Sequence, residues 1–282
     1  SDTEFISHLS RDEILENELP EVDGMYAIGE FLRTDKDQII CNAFRDPVGE
    51  KHLWYYFGED IFILSSVPAI IRKYLNNKSN LSINKEAIDD YLKRRHLISP
   101  VEHPIKNISN LKPGHKLFFK SELWFLTETQ YFQYDSFFSK DLYVYLSKIS
   151  QKEYNSEFNK IFGETLESME YAAAKDIKSS CIVSGGLDSS IVGGHLLSKD
   201  QNINIYTMTF GAKDPVSKSV KNILSNKYEN KNISHKVIEC NLDSYKQSLL
   251  RSIDILSSPV NTHSIPSSYI VARNSQSDDN LI

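Results

Sequence analysis

The stretch Ser180-Cys181-Ile182-Val183-Ser184-Gly185-Gly186-Leu187-Asp188-Ser189-Ser190 decides how this chain is read. Ser180 to Val183 has the brevity and apolar content of a buried strand. Ser189 to about Ser198 reads as a helix. A Gly-rich turn between a strand and a helix brings backbone amides and a helix N-terminus to one spot, and both favour an anion there. Gly185 and Gly186 leave room for main chain to curl around phosphate oxygens. Ser184, Ser189 and Ser190 add hydroxyl donors. Asp188 would repel bare phosphate, so its expected role is to hold Mg²⁺ that bridges phosphate oxygens. The stretch is not a Walker A loop, because no Lys follows the second Gly. Nor is it a dinucleotide fingerprint, because the glycines are wrongly spaced.

The sequence downstream continues the alternation. Ile203 to Phe210 is predicted as a strand, Val216 to Tyr228 as a helix, His235 to Cys240 as a strand and Asp243 to Ile255 as a helix. That order implies a parallel sheet with crossover helices, a doubly wound α/β architecture. Upstream, a helix over 153–174 carries Phe158, Ile161, Phe162, Leu166 and Met169 on one stripe, which is expected to face the core. Gln133 to Lys152 has no clear period and marks a boundary.

Before that boundary the chain reads as antiparallel strands. Segments Gly24–Leu32, Gln38–Phe44, Leu53–Phe57 and Ile61–Ser65 are β-prone, and Gly58-Glu59-Asp60 is the turn of a hairpin. Pro68 opens a short helix, and a second is expected over Asn84–Arg95. Lys112-Pro113-Gly114-His115 is a turn leading to strands at Leu117–Phe119 and Leu123–Phe125.

Composition sets limits. The 282 residues carry a formal net charge of -6, which argues against a dedicated nucleic-acid binder. Cys41, Cys181 and Cys240 are too few and too irregular for a disulfide framework or a metal knuckle, and each is expected to pack as a small apolar residue. No apolar run has the length of a membrane span and no signal-peptide core is visible, so a soluble, cytoplasmic protein is expected. The chain starts without Met, and Leu281-Ile282 at its end reads as the start of a strand, which suggests a segment of a longer protein.

Taken with its context, Ser184–Ser190 resembles the PP-loop of the ATP pyrophosphatase superfamily, whose members cleave ATP between the α- and β-phosphates. Arg45-Asp46-Pro47-Val48-Gly49-Glu50-Lys51-His52-Leu53-Trp54-Tyr55-Tyr56 resembles a stretch of the glutaminase domain of asparagine synthetases, with His52 where that family has Pro. Asp23-Gly24-Met25-Tyr26-Ala27, Ser1-Asp2-Thr3-Glu4 and Ile108–His115 resemble further segments of it, in the same order.

The resemblance implies an Ntn-type, antiparallel α+β glutaminase-like domain over residues 1–140. It implies a doubly wound, adenine nucleotide alpha hydrolase-like ATP-binding domain over 150–282. The implied activity is AMP-forming amide ligation: aspartate, ATP and glutamine give asparagine, AMP, pyrophosphate and glutamate, with ATP and Mg²⁺ as cofactors. The implied ATP and pyrophosphate contacts are Val183, Ser184, Gly185, Gly186, Leu187, Asp188, Ser189, Ser190 and Phe210, where backbone groups would hold adenine. Asp188 is the implied catalytic and Mg²⁺-linked residue, and Asp2 the implied glutamine contact. Partners are small molecules (aspartate or another carboxylate, and glutamine), not nucleic acid or membrane; a homodimer is compatible with the resemblance. The family's N-terminal Cys nucleophile and its downstream acidic motif and Lys are not in this sequence.

Two alternatives stay open: a natural-product ligase of the same architecture, of the β-lactam synthetase or lasso-peptide cyclase type, and a non-catalytic nucleotide-binding fragment. Arg45 and Asp46 are expected to brace a turn. His263, in Pro259–Ser264, is either a substrate contact or a solvated loop residue. Ser1 is not expected to act as a terminal nucleophile, and Lys93-Arg94-Arg95 is expected to be a solvated helix end.

Overall fold

The computed structural model describes residues 22, 24–78, 81–97, 102–171, 178–198, 203–211, 214–227, 233–275 and 279–281, with some side chains at element ends excepted. The chain divides into two compact units. One comprises Ser1–Phe138 with Ile253–Asn261, the other Ser139–Ser252 with Thr262–Ile282.

The first unit is built on two antiparallel sheets. β1 (Ala27–Arg33), β2 (Ile39–Arg45), β6 (His115–Lys120) and β7 (Phe125–Gln130) form one, in the order β1-β2-β6-β7. β3 (Trp54–Phe57), β4 (Phe62–Ser65) and β5 (Ile108–Asn110) form the other, in the order β4-β3-β5. Alternate residues of each sheet meet face to face: Cys41, Ala43, Leu117 and Phe119 from the first pack with Leu53, Leu111, Tyr55 and Phe62. Phe119 stacks on Phe62 at 4.3 Å and meets Trp124 edge-on at 5.4 Å. The outer face of the smaller sheet is covered by α1 (Pro68–Asn77), through Ile71 and Leu75. α2 (Lys85–Arg94) starts where expected, with Asn84 accepting from the Ala87 amide.

The Arg45–His52 turn is held by main chain. The buried Arg45 guanidinium donates to the carbonyls of Lys51, Leu111 and Gly49. Asp46 accepts from the amides of Gly49, Glu50 and Lys51. Each buried charge is therefore satisfied without pairing to the other, as the cost of burying an unsatisfied charge requires. His52 closes the turn: its Nδ1 lies 3.1 Å from Arg45 and 3.2 Å from the Asn110 amide nitrogen, both donors, so Nδ1 accepts.

The second unit holds the parallel sheet. β8 (Lys178–Ile182), β9 (Asn204–Thr209), β10 (Ser234–Glu239) and β11 (Asp279–Leu281) lie in the order β10-β9-β8-β11, every neighbouring pair parallel. After α3 (Lys140–Leu146) and α4 (Gln151–Tyr171), four helices surround it: α5 (Leu187–Ser198), α6 (Pro215–Lys227), α7 (Leu242–Leu256) and α8 (Ser264–Asn274). Leu196, Leu197, Val220 and Leu224 of α5 and α6 pack with Cys181 and Ile205 on one face. Ile270 and Val271 of α8 and Tyr245 of α7 pack with Tyr206, Ile238 and Cys240 on the other. The sheet is thus wound on both faces, and β11 is the strand expected at the end of the chain.

Some expectations shift. Residues 121–124 form a turn, with Trp124 at φ 47°, so the last strand of its sheet is Phe125–Gln130 and not Leu123–Phe125. The aperiodic segment before α4 holds a 3₁₀ turn at Tyr134–Phe137 and the helix α3. The α4 stripe is not a core stripe along its length: Leu166 is buried, Phe162 is half-buried, and Phe158 and Ile161 are exposed. The side chain of Met169 lies outside the described residues, as do Ser1, Asp2 and the rest of the N-terminal segment to residue 21. All three cysteines are buried and free. No described helix is long and apolar enough to cross a membrane.

His103 makes the first unit pH-sensitive. It is 1% exposed, accepts from the Ile105 amide at Nδ1, and so carries its proton at Nε2, which points at the Leu256 carbonyl. Burial is the main cause that holds its pKa down at about 4; the Leu256 bond opposes it and the Arg72 charge adds to it. A folded pKa below the unfolded 6.5 gives stability that is full above pH 6.5 and lost as pH falls toward 4. In urea unfolding, the wild type is expected to lose about 2 kcal/mol more than His103→Gln between pH 7 and pH 5. Equal losses would contradict this assignment.

Candidate functional site: the carboxyl edge of the parallel sheet

From β8 the chain passes to β9 and β10 on one side, and later returns to place β11 on the other. The carboxyl end of β8 is therefore the switch point of the sheet, where ligands bind in open α/β folds. The loop Ser184–Ser190 sits there, and residues 184–188 are exposed.

The strand end beneath the loop is fixed by bonds to β9. The Val183 amide donates to the Tyr206 carbonyl at 2.9 Å. The Val183 carbonyl accepts from the buried Thr207 hydroxyl at 3.0 Å, which in turn accepts from His235 Nε2 at 2.9 Å. With its hydroxyl proton committed to Val183, Thr207 requires the His235 proton on Nε2. The Val183 side chain packs toward Gly193, where an added Cβ would approach Val183 Cγ2 to 2.9 Å. Val183 also lines a cavity of about 260 Å³ between α5 and α6, with Ile191, Gly194 and Ile223 among its other walls.

Ser189 is the hub of the loop. Its hydroxyl accepts from the Ser184 amide (3.2 Å), lies 3.0 Å from the Ser184 hydroxyl and donates to the Gly186 carbonyl (3.3 Å). Gly186 caps α5, its carbonyl accepting from the Ser190 amide. The helix begins at Leu187, two residues ahead of the expected start, so the amides of Leu187, Asp188 and Ser189 form its first turn and lack intrahelical acceptors. Gly185 adopts φ 79°, in the left-handed region. Asp188 projects from this first turn, exposed. Among the described residues no group of three or more His, Cys, Asp or Glu could cage a metal. A single exposed carboxylate beside free amides instead suits Mg²⁺ that keeps waters and phosphate oxygens as its other ligands.

A second cavity opens at the ends of the neighbouring strands. It measures about 360 Å³ and is lined by Phe210, Gly211, Glu239, Cys240, Asn241, Leu242 and Tyr245. The rings of Phe210 and Tyr245 meet edge-on at 6.1 Å. The expectation that the backbone at Phe210 would be open to a ligand meets a competitor: the Phe210 amide donates to the Asp214 carboxylate at 2.9 Å. Phe210 thus faces the cavity with its ring and not with a free N–H.

Sequence reading missed Asn241, Leu242, Tyr245 and Asp214. The first three become visible only when strand order is known. Asp214 carries a local signal, an Asp-Pro pair opening a helix. His263 is exposed; its carbonyl accepts from the hydroxyls of Tyr245 and Ser267. Asp2 lies outside the described residues.

The two halves of the chain match different families. The glutamine amidotransferase domain family matches residues 1–73, and the family of queuosine biosynthesis protein QueC matches residues 178–276. A Methanocaldococcus jannaschii protein named as a putative glutamine-hydrolyzing asparagine synthetase is 27% identical over 193 residues, covering 68% of this chain and 34% of that protein. Together these matches support an asparagine-synthetase-like family. The chain spans about a third of the length of the curated relative it matches.

The loop geometry gives a stability test. A Cβ on Gly185 would be held at positive φ and 3.3 Å from Val216 Cγ1, whereas one on Gly186 meets only the Ser184 hydroxyl at 3.5 Å. Gly185→Ala is expected to destabilise the second unit by about 1–2 kcal/mol in urea unfolding, and Gly186→Ala by less. The reverse order would contradict the loop conformation.

Proposed function

We propose that this chain supplies the glutaminase-like and ATP-binding parts of an AMP-forming amide ligase, with residues 1–140 and 150–282 as the two domains. The reaction proposed is that of glutamine-hydrolysing asparagine synthesis. A carboxylate oxygen of aspartate attacks the α-phosphorus of ATP, and the bond to the bridging oxygen breaks. Pyrophosphate leaves with that electron pair. Ammonia released from glutamine then attacks the acyl carbon, AMP departs, and asparagine forms.

The observation that carries this reading is the loop Ser184–Ser190 at the switch point of a parallel sheet, its first-turn amides exposed at the N-terminus of α5. Those donors suit the charge that grows on departing pyrophosphate, and oriented donors that need not reorganise are effective at this task. Asp188 would hold Mg²⁺ by way of the phosphates; that ion would offset the phosphate charge. The base is proposed to occupy the Phe210–Tyr245 cavity, one to two strand spacings from the loop, each spacing about 4.8 Å. The adjoining match to a glutamine amidotransferase family supports glutamine as the nitrogen source, with Asp2 as a proposed glutamine contact.

In the whole protein, aspartate-dependent formation of AMP from Mg·ATP is expected. Asp188→Asn is expected to lower its rate about 10²–10³-fold, the usual cost of removing one preorganised electrostatic contact. ADP as the product would overturn the ligase reading, and an unchanged rate in Asp188→Asn would remove Asp188 from the chemistry.

A further inference from the structure

Asp214 is exposed to solvent in part, yet both of its carboxylate oxygens are committed. Oδ2 accepts from the Phe210 amide at 2.9 Å, and Oδ1 from the Val216 amide at 3.0 Å. Its own amide donates to the Gly211 carbonyl at 3.1 Å. These bonds hold the carboxyl pKa below its ordinary value, the Phe210 bond contributing most.

Each bond ties a different piece of chain. Phe210 follows the last residue of β9, and Val216 lies in the first turn of α6. Val216 also lies beside Gly185, so the start of α6 borders the phosphate loop. Gly211, which follows Phe210, adopts φ 91° with nothing near the position of a Cβ. No other described bond fixes the direction in which Phe210 leaves the sheet while also gripping the helix. The Phe210 ring forms one wall of the 360 Å³ cavity, edge-on to Tyr245. Glu239, exposed at the end of β10, borders the same cavity, so its negative charge disfavours an anion nearby.

We propose that Asp214 is a positioning residue for the nucleoside end of the site: it clamps the Phe210 turn so that the Phe210 ring, edge-on against Tyr245, forms with it one wall of a cavity that takes a heteroaromatic base. The proposal rests on the ATP-binding reading above and deepens it. It assigns the two ends of the ligand to separate devices. The phosphates are gripped by the amides at the start of α5, Leu187 to Ser189, and the base is sorted by a wall of two rings whose position Asp214 sets. Because the Phe210 amide is occupied, it is not offered to the base.

The two devices separate experimentally, because pyrophosphate has no base. Isothermal titration of the full protein with Mg·ATP and with Mg·pyrophosphate, beside thermal unfolding, tests the assignment in wild type, Asp214→Ala and Asp214→Ser. Serine caps a helix about as well as aspartate, so Asp214→Ser keeps the hold on Val216 while losing the second oxygen that holds Phe210. The expected result is ATP affinity about tenfold weaker in both variants, with pyrophosphate affinity unchanged and Asp214→Ser as heat-stable as wild type; a tenfold change in Kd corresponds to about 1.4 kcal/mol. Wild-type ATP affinity in Asp214→Ser would overturn the proposal while leaving the ATP-binding reading intact. Parallel loss of ATP and pyrophosphate binding would also overturn it, since that marks a general structural role. If wild type bound neither ligand, the ATP-binding reading would fail and the proposal with it.

Discussion

The parallel pairing of β8 with β9 on one side and β11 on the other is the constraint on which the rest of the site depends. A strand flanked on both sides by parallel neighbours cannot end in a hairpin, and its chain must leave the sheet at the carboxyl edge into a crossover. Here the exit is Val183, held by two bonds to β9, and the next three residues have to turn a strand into a helix at the open edge of the sheet. Gly185 and Gly186 make that turn feasible, and the Ser184–Ser189 bonds make it one conformation. The same geometry that solves the chain's problem leaves the first amides of α5 without intrahelical acceptors at the exposed end of the helix. Anion affinity at this edge is thus a by-product of topology that the hydroxyls and Asp188 then refine.

The neighbouring strand ends extend the logic. β9 and β10 finish on the same edge, and a polar side chain beyond each holds the chain there: the Asp214 carboxylate accepts from the Phe210 amide, and Asn241 caps α7 through the Ser244 amide. The Phe210 and Tyr245 rings at these ends meet edge-on and together line one cavity. The antiparallel unit solves a different problem. There the buried charges Arg45 and Asp46 are satisfied chiefly by backbone groups around a single turn, and His52 fits because its neutral ring can accept where two donors converge.

Much of this was legible from residue order. The strand–Gly-Gly–helix reading needed only local information, since the glycines, the apolar run 181–183 and the serines are adjacent. The β-α alternation after residue 203 was legible for the same reason, and so was Asn84 as a cap. The features that escaped depend on partners distant in sequence or on segments without a period. α3 buries none of its side chains, so no apolar stripe announces it. α8 opens Ser-Ile-Pro-Ser-Ser, a composition that reads as loop, and becomes a helix because Ile270 and Val271 find the face of β9 and β10. The exposed Phe158 and Ile161 on α4 show a stripe that periodicity identifies correctly as apolar but cannot place against a partner. Tyr245 joins Phe210 only once strand order is known.

The central claim is that the loop 184–190, through the main-chain amides at the start of α5, forms the anion grip of this protein. Amide chemical-shift mapping of isotope-labelled protein during titration with Mg·pyrophosphate tests it most directly. Saturable shifts are predicted, largest at Gly185, Gly186, Leu187 and Asp188 and fading along α5. Shifts confined to other regions, such as the basic end of α2 at Lys93–Arg95, with residues 184–190 unmoved, would contradict it.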